Sequence, residues 1–326
     1  MSESIAQEST VCYTTRMKKI IIVTGASSGM GVCFAKQLAL ESAQFREKAI
    51  LCTNDANETE AAKWESLAAD ELWLVARRRD RLEALAKEIN ACGDDMQSES
   101  KAKEFAKGQR LYPVARAVEA DLCGQKGALE LKRYLDADEF ASRSVGGLGI
   151  TVLVNNAGFG TYGPFENTDT IREMEMIDTD CTSLTGITGF ALPYMHEGSR
   201  IINTASLASY MPLGNFAVYG ACKAYVLSFS VALAAELKDR GISVTALCPG
   251  PVSTEFAAVA SRGARKAVKH GLSPEKTVAH CLKKSRKGKH YSLMAFKWKF
   301  KAFASTFVPR YAGAWFTYRF CKRPSN

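Results

Sequence analysis

Apolar positions along the chain fall into two kinds of pattern. Short apolar runs rich in β-branched residues occupy 20–23, 72–76 and 150–154, with further runs near 111–118 and over 242–247. Their length and continuity predict strands buried on both faces of a parallel sheet. Residues 32–40, the stretch from Arg79 past Lys87, and 124–135 read as helices between them. Strand and helix alternate throughout, so the expected fold is α/β, a doubly wound parallel sheet with helices on both faces. Two polar stretches break the alternation. Residues 41–70, polar and net acidic, read as an insertion at the sheet's edge, ordered as a helix over 58–69 or else flexible. Residues 92–108 separate the second helix from the third strand.

Length and composition narrow the picture. A chain of 326 residues can form one large α/β domain or two small ones, and no Pro/Gly/Ser-rich linker or internal repeat divides it. Residues 1–17 hold Glu3 and Glu8 and lack an apolar core, which argues against a secretory signal and for a disordered leader, with Met17 as an alternative start. No apolar run reaches the ~18 residues of a membrane-spanning helix. The ten cysteines are scattered without a Cys-x-x-Cys, and His196, His270, His280 and His290 stand apart, so free thiols and no metal site are expected. Charge is uneven. Residues 262–326 hold 17 Lys or Arg against the single acid Glu275, or +16 in a chain of net +9, which leaves −7 for the first 261 residues.

Candidate chemistry lies in two places. The first strand runs into Thr24-Gly25-Ala26-Ser27-Ser28-Gly29-Met30-Gly31 and then a helix. A strand, a glycine-rich turn and a helix N-terminus together offer free N–H donors and a positive dipole end to a phosphate. The glycine spacing differs from the commoner Gly-x-Gly-x-x-Gly; a tight turn without ligand is the competing reading. Further on, Tyr219 and Lys223 stand four apart, on one face of a helix, with Ser206 thirteen positions before the tyrosine. An ammonium beside a phenol lowers a pKa that starts near about 10, which makes the tyrosine a usable proton donor or acceptor.

Taken in order, Thr24-Gly-x-x-x-Gly-x-Gly31, Asn155-Asn156-Ala157-Gly158, Ser206, Tyr219-x-x-x-Lys223 and Pro249-Gly250 resemble the short-chain dehydrogenase/reductase family, of the cytosolic, NADP-preferring, carbonyl-reductase-like kind. The resemblance covers residues 18–260 well. It implies a Rossmann-type cofactor-binding and catalytic domain over 18–260, a basic aromatic extension over 261–326 packed on it, and NADP(H) as cofactor. Gly25, Ser27, Ser28, Gly29, Met30 and Gly31 would hold the pyrophosphate. Asn156, Ala157 and Gly158 would lie along the cofactor, with Asn155 structural. Pro249, Gly250, Val252 and Thr254 would meet the nicotinamide carboxamide. After the second strand, where NAD-binding members place an acid, the chain has Arg77 and Arg78, suited to a ribose 2′-phosphate; solvated helix-start arginines are the alternative. Asp121 and Leu122 would meet the adenine, with Asp121 alternatively capping the helix at 124. Counting back thirteen from Pro193 gives Asp180 where the family has asparagine, unless the register falls on Asp178. A carboxylate there would hold Lys223 charged and alter the pH dependence of the proton relay.

The expected reaction interconverts a ketone or aldehyde and its alcohol, with Ser206 holding the carbonyl oxygen and Tyr219 exchanging the proton. Phe159, Tyr162, Tyr210, Met211, Leu213, Phe216 and Phe256 would line an apolar substrate pocket, favouring a hydrophobic carbonyl compound. The resemblance also implies a homodimer or homotetramer. The basic aromatic tail suits peripheral contact with an anionic membrane, from a cytoplasmic location; no nucleic-acid-binding module is present. Two other function classes stay open: an NADP(H) sensor without turnover, and a membrane-associated scaffold.

Overall fold

The structure is a computed structural model and describes residues 16–100, 102, 109–265, 268 and 271–325. The expected leader falls almost wholly outside the described residues, as do most of residues 101–108. Seven parallel strands, β1 (Lys18–Thr24), β2 (Glu71–Ala76), β3 (Val114–Glu119), β4 (Leu148–Asn155), β5 (Arg200–Thr204), β6 (Ser243–Leu247) and β7 (Tyr291–Ser292), form one sheet in the order β3-β2-β1-β4-β5-β6-β7. The order reverses between β1 and β4, the switch point at whose carboxyl edge open α/β sheets place ligands. Helices α1 (Gly29–Asn54), α3 (Arg79–Glu99) and α9 (Pro274–Ser285) cover one face, and α4 (Gly124–Ser142), α6 (Leu184–Ala191) and α7 (Ala217–Glu236) the other. The short α5 (Thr170–Ile177) and α8 (Phe256–Ala260) add Met176 and Ala260 to the cluster around Tyr219. Apolar side chains on both faces of β1, β2 and β4 are almost fully buried, as their unbroken apolar runs require.

Three segments differ from expectation. The first helix does not stop at 40; α1 continues to Asn54, while the helix expected over 58–69 forms as α2 (Glu58–Leu67). The polar composition there misleads because its charges are paired inside: buried Glu41 ion-pairs with Arg200 and Arg286, and Arg46 with Asp70 at 2.9 Å. Residues 92–99 extend α3. The basic C-terminal segment is also more than an appendage. Its α9 adds Val278, Cys281 and Leu282 to the core against α1, and its β7 is the sheet's last strand. Only α10 (Phe296–Ser305) and α11 (Arg310–Phe320) lie outside that framework.

By length and composition α7 could cross a membrane. Here Tyr219, Cys222, Lys223, Val226, Ser230 and Leu233 are buried, and the helix packs against β5 and β6 as a core helix.

Candidate active site

The glycine-rich turn is built for close approach. A Cβ at Gly31 would fall 2.0 Å from the Gly25 carbonyl oxygen, and Gly25 has φ +66°. Thr24 stitches the turn to the switch point. Its Oγ1 donates to Val154 O (3.1 Å) and accepts from the amides of Asn156 (2.9 Å) and Ala157 (3.0 Å). Helix α1 begins at Ser28 with no side-chain cap and no acid in its first turn. An N-terminus whose orphan amides no side chain satisfies, backed by glycines with no room for a Cβ, fits a dinucleotide's pyrophosphate.

Around this turn the expected residues divide. Arg78 reaches it: Nε and Nη2 donate to Ser27 Oγ at 3.1 and 3.0 Å, while Nη1 meets Glu255 at 3.5 Å. Arg77 is exposed and lies 3.8 Å from Asp121. A polar hollow of about 650 Å³ bounded by Arg77, Arg79, Glu119, Asp121 and Tyr134 opens beside β3. Asp121 is not the cap of α4, whose N-cap is Cys123 without a side-chain bond; the positive φ of Gly124 makes that turn instead. Leu122 is buried in the core, so only its backbone could meet a ligand. The Asn155 Nδ2 bonds Thr188 and Asn203, the structural role expected. Asn156 is equally committed, to the carbonyls of Thr24 and Gly25 and to the Thr204 hydroxyl. Thr254 stands at the start of α1, where a Cβ on Gly29 would come within 3.2 Å of it.

At the other end of the carboxyl edge Tyr219, Lys223, Ser206 and Asp180 meet. Lys223 Nζ donates to Thr204 O (3.0 Å), pairs with Asp180 Oδ2 (2.9 Å) and lies 5.5 Å from the Tyr219 ring centroid. Asp180, fully buried, is turned inward by a π-helical turn over Asp178–Ser183, and its Oδ1 accepts from the Phe159 amide at 3.0 Å. The register is therefore Asp180, not Asp178. Ser206 is held at the strand end: its Oγ accepts from Ala208 N (3.1 Å) and its amide donates to Ser209 Oγ (3.3 Å). Ser209 Oγ in turn donates to Lys223 O (2.7 Å), locking the serine loop to α7.

Electrostatics correct one expectation. Burial pulls the Lys223 ammonium down, but Asp180 and Tyr219 outweigh it and the net shift is upward. Burial raises the Asp180 carboxyl, opposed by Lys223 and the Phe159 amide. The Tyr219 phenol is raised, not lowered. Burial dominates, Asp180 adds to the rise, and the lowering by Lys223 and Ser206 is too small to reverse it.

An aromatic wall surrounds the phenol. Phe216 stacks on Tyr219 (centroids 4.1 Å, 17°), Tyr162 meets Phe216 edge-on at 4.9 Å, and Phe256 lies 5.4 Å from Tyr219. Phe159 and Leu213 join the same cluster. Tyr210 and Met211 do not: Tyr210 packs with Cys248 and Trp298 under β6, and Met211 against Gly313 of α11. The wall is tied to the tail. Asn215, at φ +60°, points Nδ2 at the carbonyls of Thr317, Tyr318 and Cys321 (3.3, 2.9 and 3.4 Å), and Gly214 N donates to Thr317 Oγ1 at 2.8 Å. Sequence reasoning passed over Asn215 and Glu255 and read Trp298 only as part of the basic aromatic tail; it sits against Gly250, where a Cβ would lie 2.5 Å from its ring. Asparagine in a loop before Tyr219 was the one available signal, since asparagine tolerates a left-handed backbone.

Comparison with known proteins bears on the fold and the family. The short chain dehydrogenase family model matches residues 131–265. Sulfoacetaldehyde reductase 2 of Chromohalobacter salexigens is 30% identical over 251 residues, 76% of this chain and 78% of that protein. Among solved structures, a short-chain dehydrogenase from Sphingobium yanoikuyae in complex with NADPH superposes with TM-score 0.62 at 23% identity, covering 89% of this chain and 93% of that one. A short-chain dehydrogenase/reductase from Burkholderia phymatum in complex with NAD gives TM-score 0.64 at 18% identity, covering 96% and 98%. The chain belongs to the short-chain dehydrogenase/reductase family. Its activity is that of an NAD(P)-dependent oxidoreductase acting on CH–OH groups and the carbonyls they form.

Proposed function

We propose that this protein is an NADP(H)-dependent reductase of hydrophobic ketones or aldehydes, with Tyr219 as the acid. The observation that carries the reading is the convergence of Tyr219, Ser206 and the Lys223–Asp180 pair at one sheet edge shared with the glycine turn. Bound along Gly25–Gly31, a nicotinamide cofactor supplies hydride chemistry. The chain supplies the rest. Ser206 donates to the carbonyl oxygen, Tyr219 gives it a proton, and Lys223 keeps positive charge beside the developing alkoxide. A phenol held protonated by burial is the form that reduction needs at neutral pH; alcohol oxidation needs the phenolate and is favoured at higher pH. Arg78, fixed beside Ser27, supports recognition of a 2′-phosphate, and the NADPH of the Sphingobium relative agrees. Asp180 is the one feature pointing to cofactor binding without turnover, and its pairing with Lys223 favours turnover instead. Replacing Tyr219 by Phe should lower kcat for an aromatic ketone by about 10²–10⁴-fold while NADPH binding, followed by calorimetry, persists. Undiminished turnover would remove the reading.

A second observation favours peripheral contact with a membrane. Helices α10 and α11 and the turn joining them expose Phe296 (81%), Phe300, Phe303, Phe307 (74%), Tyr311 (82%) and Phe316 among Lys297, Lys299, Lys301, Arg310 and Arg319. Aromatics with interleaved cations suit an anionic bilayer surface. The full chain should sediment with phosphatidylserine-containing vesicles, be released by salt, and lose about tenfold in affinity as the Phe300→Ser, Phe307→Ser double variant. If this face instead joins subunits into the expected dimer or tetramer, the double variant would change molecular mass by light scattering and vesicles would not be bound.

A further inference from the structure

Three guanidinium groups stand on the aromatic rings of the substrate wall. Arg172 Cζ lies 5.0 Å from the Phe159 centroid, Arg265 5.9 Å from Tyr162, and Arg323 5.1 Å from Phe216, the ring stacked on Tyr219. Among the described residues none of the three has a carboxylate within ion-pair distance, and the carboxylates of Asp169, Glu173 and Glu255 are engaged elsewhere. Asp169 pairs with Arg262, Glu255 with Arg78 and Arg81, and Glu173 accepts from Thr161. Arg323 Nη1 donates to Gly214 O (3.1 Å), and Arg172 Nη2 to Val259 O (3.2 Å) while its Nε is buried without a partner. Arg323 is half-buried, and burial, with Arg265 repelling it, pulls its pKa below the ordinary value.

Arg323 and Arg172 are half-buried while Arg265 is exposed, and cations partly withdrawn from water normally carry a counter-charge. Stacking on a ring returns only about 0.5–2 kcal/mol each, and two like charges acting on the same Tyr162 hydroxyl repel. An anion between them would relieve both costs, and a guanidinium fork matches an oxyanion's geometry. We propose that Arg265 and Arg323, with Arg172 beside Phe159, form an oxyanion subsite at the mouth of the substrate pocket. The preferred substrates are then carbonyl compounds with an apolar body and a carboxylate, sulfonate or phosphate head. This deepens the carbonyl-reduction reading of the same site and rests on it.

The test separates head group from turnover. The full chain, saturated with NADPH, is titrated calorimetrically with hexanoate, pentyl phosphate and hexanamide, which share a pentyl body and differ in the head. At least one anion should bind about tenfold more tightly than the amide. Arg323→Gln and Arg265→Gln should each bring that ratio towards one, and Arg323→Lys should restore part of it. The better of the two anions identifies the head. Anions no tighter than the amide, or a preference untouched by both glutamine variants, overturn the subsite. In a second arm, NADPH oxidation with 5-oxohexanoate should outpace that with its methyl ester through a lower KM. If neither ketone is reduced while the anion still outbinds the amide, carbonyl reduction is the reading that fails and the subsite stands.

Discussion

Asp180 acts on two titratable neighbours at once. It holds Lys223 protonated, and it adds to the burial that raises Tyr219, working against the lysine's own field. Asp180→Asn removes that negative charge from both. The pKa values of Lys223 and Tyr219 should both fall, so phenolate becomes available at lower pH. The alkaline rise of kcat/KM for alcohol oxidation should then move to lower pH, read from a pH–rate profile; an unmoved profile would place Asp180 outside the relay. Arg78 is testable on the same scale. Arg78→Ala should raise the KM for NADPH by about 10–100-fold, given charge-assisted bonds of roughly 1.5–3 kcal/mol, and leave that for NADH nearly unchanged. Its bonds to Ser27 place it beside the turn, whereas Arg77, mostly exposed, has a weaker claim.

Elements carry the next level. Gly31 faces the Gly25 carbonyl across the turn, so Gly31→Ala must shift backbone; a cost of about 1–3 kcal/mol and loss of NADPH binding by calorimetry are expected. Asn215 holds the wall to α11 through both its backbone angle and its amide. Asn215→Gly keeps the angle and should cost about 1–3 kcal/mol in thermal unfolding; Asn215→Ala should cost about 1 kcal/mol more. These elements also show what a sequence can say. The unbroken apolar runs of β1 and β4 and the four-residue spacing of Tyr219 and Lys223 were legible because strand burial and helix periodicity are local rules; Ser206 was legible only through the family resemblance. Glu41 was not, for its partners Arg200 and Arg286 lie far along the chain, and a buried acid looks like a surface one until they are placed. The rise in the Tyr219 pKa was hidden for the same reason: adjacency to Lys223 is visible at four residues' spacing, whereas burial under Phe216 and Phe256 depends on loops folding back.

At the scale of the molecule, the basic C-terminal segment divides at β7. Removing residues 262–326 would take α9 and the last strand with it and strip Val278, Cys281 and Leu282 from the core. Such a truncation should be insoluble, whereas one ending after Leu293 should keep the native circular dichroism of the sheet. Exposed substitutions on α10 and α11 are thus the sounder probe of the tail, being expected to change stability by no more than about 0.5 kcal/mol. The contact between Trp298 and Gly250 has an optical consequence. An indole fluorophore rests against the backbone that the family uses to face the nicotinamide, so a reduced ring arriving there would accept its excitation energy. Loading of the pocket and seating of α10 could then be watched together as one quenching signal, with no dye attached.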